Sequence, residues 1–134
     1  MYMLDTNICI YIIKKRPMSV LRRFEKVRSS QICISVVSFA ELRYGVENSS
    51  SKKLNQSILD AFCSQLTILP WDEGAAKKYG KIRTHLERQG TLIGNMDLLI
   101  ASHALSGKHV LVTNNLKEFE RVQHLNCENW LPSV

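Results

Sequence analysis

Three carboxylates stand where this chain is otherwise apolar or helix-forming: Asp5 in MLDTNICI (3–10), Glu41 in SFAELRYGVE (38–47) and Asp97 in GNMDLLIASHAL (94–105). Each has a local explanation, since Asp5 can cap the helix that follows it and Asp97, in the first turn of its own helix, can complement the macrodipole. A shared cause accounts for all three if the fold draws them to one sheet edge. Two carboxylates about 5 Å apart repel by roughly 3 kcal/mol at an effective dielectric of about 20. A cluster of three therefore needs protons, cations or a hard metal ion beside it. For oxygen ligands alone, Mg²⁺ or Mn²⁺ is the natural occupant. Such an ion lowers the pKa of bound water, orients it and stabilises charge developing on a phosphodiester, so the chemistry that these acids suggest is hydrolysis.

Other chemistries lack their signatures. The chain has no GxGxxG, GxxxxGK[ST], GxSxG or HExxH, which removes the usual support for dinucleotide, P-loop, serine-hydrolase and zinc-protease readings. Cys9, Cys33, Cys63 and Cys127 are far apart, form no CxxC pair and lie in apolar or helical sequence, which predicts buried free thiols. The histidines at 85, 103, 109 and 124 lack metal-ligand spacing. Eighteen Lys and Arg against twelve Asp and Glu give a formal charge of +6, which favours a polyanionic partner. The excess concentrates in KKRPMSVLRRFEKVR (14–28) and KKYGKIRTHLER (77–88); a solvated helix face explains either run alone, and the two together favour nucleic acid. The run Ile8 to Ile13 is too short to span a bilayer and no basic segment precedes an apolar stretch, so a cytoplasmic protein is expected.

Positioning these acids falls to alternating strands and helices. At 134 residues the chain fits a single domain, 1–134. YMLD (2–5) reads as a strand, and Thr6 as the cap of a helix running through Lys15. Pro17 opens a second helix to about Val27, and QICISVV (31–37) reads as a strand covered on both faces. Helices are expected over 38–47, from SSSKK onward with Leu54, Ile58, Phe62 and Leu66 on one stripe, over 72–89 and over 95–106; strands are expected at 67–71 and 109–113. This alternation predicts an α/β fold with a mainly parallel central sheet sandwiched between helices. In such sheets sites form beyond the carboxyl ends of strands, where Asp5 and the pair Asn114 and Asn115 fall.

Four segments in order resemble the PIN domain, and within it the VapC-type toxin ribonucleases of bacterial toxin–antitoxin modules: MLDTN (3–7), FAELRYG (39–45), IGNMDLLIASHAL (93–105) and VTNNLKEFERV (112–122). The resemblance spans nearly the whole chain. It implies that Asp5, Glu41 and Asp97 are metal-binding and catalytic acids, that Thr6 and Asn7 support the first, and that Thr113 holds the site from a neighbouring strand end. Many PIN domains carry a fourth acid two residues beyond that threonine. Here Asn115 stands in its place, and an amide supplies no charge, so its implied part is to position water or another site group; Glu118 is the nearby carboxylate that could replace the acid. The family further implies a Mg²⁺- or Mn²⁺-dependent endoribonuclease that homodimerises and is inhibited by a cognate antitoxin. A close subset, resembled by the TNNLKEFERV ending, cuts initiator transfer RNA near the anticodon. The competing expectation is a catalytically silent PIN protein whose acids only cap helices and whose cations hold RNA or an acidic partner.

Overall fold

A computed structural model describes residues 1–131. Five short strands form one all-parallel sheet: β1 (Tyr2–Leu4), β2 (Ile32–Ser35), β3 (Thr67–Leu69), β4 (Val110–Val112) and β5 (Cys127–Glu128), in the order β3-β2-β1-β4-β5. The chain builds outward from β1 to β2 and β3, then returns to lay β4 against the other side of β1. The order therefore reverses between β1 and β4, which opens a crevice outside their carboxyl ends. Leu4 pairs with Val112 at those ends, so Asp5 and Thr113, the residues that follow, face each other across the crevice.

Side chains that alternate along the strands feed two cores. Leu4, Ile32, Ile34 and Val112 point to one face, against α1 (Thr6–Lys14), α2 (Met18–Lys26), α3 (Val36–Glu47) and α4 (Lys52–Cys63). Met3, Cys33 and Leu111 point to the other, against α5 (Glu73–Arg88), α6 (Asn95–Ser106) and Phe119 of α7 (Leu116–Phe119). The sandwich of helices about a parallel sheet agrees with the alternation in the sequence. All four cysteines are free, with Cys9 and Cys33 buried.

Several local expectations are corrected. Asp5, not Thr6, is the N-cap of α1: its carboxylate accepts the Thr6 amide, and a carboxylate already in extended backbone serves better than the hydroxyl one residue into the helix. The strand read over 31–37 ends at Ser35, because the Ser35 hydroxyl accepts the Val37 amide at 3.1 Å and draws both β-branched valines into α3. On α4, Leu59 and Phe62 are buried while Leu54 and Ile58 are exposed at 62% and 40%. The helix is rotated from the expected stripe. Three short elements were not expected at all, a 3-10 turn at Ser29–Gln31, α7 and the two-residue β5; none is long enough to display a period.

Candidate active site

Asp5 leaves β1 just as the chain turns into α1, and the residue is only 6% exposed. One oxygen accepts the Thr6 amide at 2.8 Å and the other accepts the Thr113 hydroxyl at 2.9 Å. Thr113 is itself fully buried, and its oxygen accepts the Asn115 amide at 3.0 Å. Its hydroxyl proton is therefore committed to Asp5. Burial pushes the Asp5 carboxyl above its ordinary range, the two hydrogen bonds pull it back, and the charges of Glu41 and Glu118 add to the rise.

Glu41 enters from the other side of β1. It projects from α3, whose N-terminus is fixed by Ser35, and the Thr6 hydroxyl donates to it at 2.6 Å. Thr6 thus ties two acids together, its amide to Asp5 and its hydroxyl to Glu41. Asn7 is exposed on the first turn of α1.

Asp97, in the first turn of α6, is partly buried and meets Glu118. Burial first, then the hydrogen-bonding contact and charge of Glu118, and then the charges of Asp5 and Glu41, push its carboxyl up to about 7. Asp97 therefore feels the charges of the other three acids, and Asp5 those of Glu41 and Glu118. Glu118 is held by its surroundings: the Gly94 amide donates to one oxygen at 3.1 Å and the Asn115 side-chain amide donates to the other. Asn115 so acts on the site through Glu118. From sequence Glu118 had only a substitute's place, because a carboxylate three residues beyond the family position can face the crevice only if a helical turn intervenes, and α7 is one turn long.

Charge balance is unusual here. Among the described residues five ion pairs form, Arg23–Glu128, Arg43–Glu47, Lys52–Glu47, Lys77–Glu73 and Arg83–Glu87, and none uses Asp5, Glu41, Asp97 or Glu118. Nor do any three Asp, Glu, His or Cys residues among those described converge tightly enough to form a ready-made ligand set. The expected triple of Asp5, Glu41 and Asp97 is brought to one crevice without being pre-assembled. Oxygen-only donors around an uncompensated negative gap fit a hard divalent ion that keeps several of its waters and touches one or two carboxylates. They do not suit zinc, which takes nitrogen and sulfur in closed tetrahedral sets. His103 is no part of this arrangement, being buried on α6 with its Nδ1 2.7 Å from the Ser35 hydroxyl.

An α/β sheet with acids gathered at its switch point, on helices in this order, defines the class, and the PIN domain model matches residues 2–125. This chain belongs to the PIN-domain family. Among similar proteins, "Ribonuclease VapC2" of Rickettsia felis is 50% identical over 130 residues, covering 96% of this chain and 97% of the relative. The "tRNA(fMet)-specific endonuclease VapC" of Shigella flexneri is 45% identical over 129 residues, with 96% and 97% covered. In the solved structure of VapBC2 from Rickettsia felis bound to a promoter DNA fragment, the matching chain is 49% identical, with a TM-score of 0.91 and coverage of 96% and 98%. No helix among the described residues is long and apolar enough to cross a membrane.

Proposed function

We propose that this protein is a divalent-metal-dependent endoribonuclease of the VapC type, the toxin of a VapBC-type module, which hydrolyses RNA phosphodiester bonds in the cytoplasm. The observation that carries the reading is the crevice between β1 and β4, where Asp5, Glu41, Asp97 and Glu118 gather and form no ion pair with any cation among the described residues. Mg²⁺ is the preferred ion, with Mn²⁺ as its substitute, since both take oxygen ligands in octahedral sets. Asp5, Glu41 and Asp97 would hold it, with Glu118 beside Asp97. When bound, the ion would activate water and stabilise charge on the scissile phosphate.

The chain's own residues supply the rest. Thr113 and the Thr6 amide fix both oxygens of Asp5, so its carboxylate enters the crevice in one orientation. Thr6 holds Glu41, and Asn115 with Gly94 holds Glu118 against Asp97. The Asp97–Glu118 pair, with the Asp97 carboxyl raised to about 7, can keep a proton near neutral pH and release it to solvent when a cation takes its place. As substrate we infer RNA, and specifically initiator transfer RNA, in keeping with the name of the Shigella flexneri relative. As partner we infer a cognate antitoxin, in keeping with the VapBC complex of the Rickettsia felis relative, and a second copy of the chain as a homodimer.

The test is direct. Purified protein is incubated with total RNA in Mg²⁺ or Mn²⁺, with EDTA and the Asp97→Asn variant in parallel, and the fragment ends are sequenced. Cleavage is expected only for wild type with metal, at one position in one transfer RNA. Cleavage that persists in EDTA or in Asp97→Asn refutes the metal reading. RNA binding without any cleavage would favour the silent binding protein.

A further inference from the structure

An acidic crevice repels the polyanion it is meant to cut, so cationic contacts must hold RNA from outside it. The described surface offers a distinct place. A pocket of about 220 Å³ lies between α5, the end of α6 and the segment after α7, lined by Lys78, Lys81 and His85 on one side and Arg121 and His124 on the other. Its floor is apolar, with Leu86 at its base, and no carboxylate among the described residues lines it.

The cations of α5 differ in their partners. Lys77 pairs with Glu73 and Arg83 with Glu87, each at i,i+4. Lys78 and Lys81, turned into the pocket, form no ion pair among the described residues. His124 closes the pocket in left-handed backbone at φ 68°, a conformation that costs a non-glycine residue free energy and often marks a binding site.

The pocket is also joined to the acids. The Arg121 amide donates to the Glu118 carbonyl at 3.3 Å, and its guanidinium donates to the Leu92 carbonyl at 3.4 Å. Two residues beyond Leu92, the Gly94 amide holds the Glu118 carboxylate. One short segment therefore carries an acid into the crevice and, a turn later, a cation into the pocket.

We propose that this pocket is a phosphate subsite that seats a backbone phosphate of the RNA substrate away from the bond to be cut; the proposal rests on the ribonuclease reading above. Five basic residues line one small volume, which suits a phosphate held by charge-assisted hydrogen bonds.

The test uses the full chain carrying Lys81→Gln with Arg121→Gln, and as a control Lys77→Gln with Arg83→Gln, which removes the same charge from ion-paired positions. Binding to bulk transfer RNA is measured in an Asp97→Asn background across a salt series, and cleavage in the wild-type background with Mg²⁺. The pocket pair is expected to weaken binding about tenfold and to lower the slope of log affinity against log salt by about 1 to 2. KM should rise with kcat little changed, and the control pair should bind as the parent does. Equal losses in both pairs, or no loss in the pocket pair, would overturn the subsite. So would a pocket pair that binds RNA normally yet no longer binds its antitoxin, which would give the pocket to that partner. Wild-type protein that neither binds nor cuts RNA would instead bring down the ribonuclease reading, and the subsite with it.

Discussion

Asp97 owes its raised carboxyl to burial and to Glu118, and this has a consequence for stability in the metal-free protein. Its folded pKa of about 7 lies above the ordinary aspartate value of 3.8, so between those values the native state binds the proton and the unfolded chain does not. The contribution is fully present below pH 4 and is lost as pH rises through 7. His103 and His109, kept neutral by burial, act in the opposite sense: their folded pKa values are lowered, so they weaken the fold as pH falls below about 6.5. The quantity to read is therefore the difference between wild type and Asp97→Asn. Without metal, the variant is expected to melt about 3 °C above wild type at pH 8, the effect of about 1 kcal/mol in a domain of this size, and no higher at pH 5. Melting well below wild type at pH 8 would mean that the aspartate chiefly stabilises the start of α6. These acids were legible as single residues because carboxylates in apolar runs are conspicuous. Glu118 was not, since nothing in the polar stretch TNNLKEFE marks one acid as turned inward.

Ser35 joins two elements that the sequence presented as unrelated. Its hydroxyl caps α3 through the Val37 amide and lies 2.7 Å from His103 on α6, with both side chains buried. Since α3 carries Glu41 and α6 carries Asp97, this contact fixes the separation of two site helices. Ser35→Ala removes a cap, worth about 1 kcal/mol, and leaves a buried ring nitrogen unpaired, at about 1 to 3 kcal/mol. Melting is expected to fall by about 7 °C or more in a domain of this size, with a loss of cleavage as Glu41 shifts. A variant melting within about 2 °C of wild type would show that the junction carries little weight. The helices were legible where one face is wholly apolar, as in α5 with Ala75, Ile82 and Leu86 buried. The rotation of α4 was hidden because Leu54, Ile58 and Leu59 offer competing stripes, and only packing against α1 and α3 selects among them.

At the scale of the whole molecule, the strand order β3-β2-β1-β4-β5 creates the site. Alternating elements implied a parallel sheet, but placing β4 beside β1 required knowing which edge the returning chain takes. Once β4 is there, Asp5 and Thr113 must meet, and the acids of α3, α6 and α7 close around them. The protein holds this charge in place by folding, so any ion that relieves it must in turn stabilise the fold. A divalent cation at ten times its dissociation constant adds about 1.4 kcal/mol to the native state, which raises melting by about 5 °C in a domain of this size. Mg²⁺ or Mn²⁺ is expected to produce that shift in wild type, EDTA to reverse it, and Asp5→Asn to abolish most of it. The same concentration of a monovalent salt should leave wild type nearly unmoved, because screening acts weakly on partly buried charges. Equal shifts in wild type and Asp5→Asn would place the ion elsewhere on the surface and leave the crevice acids without their proposed partner.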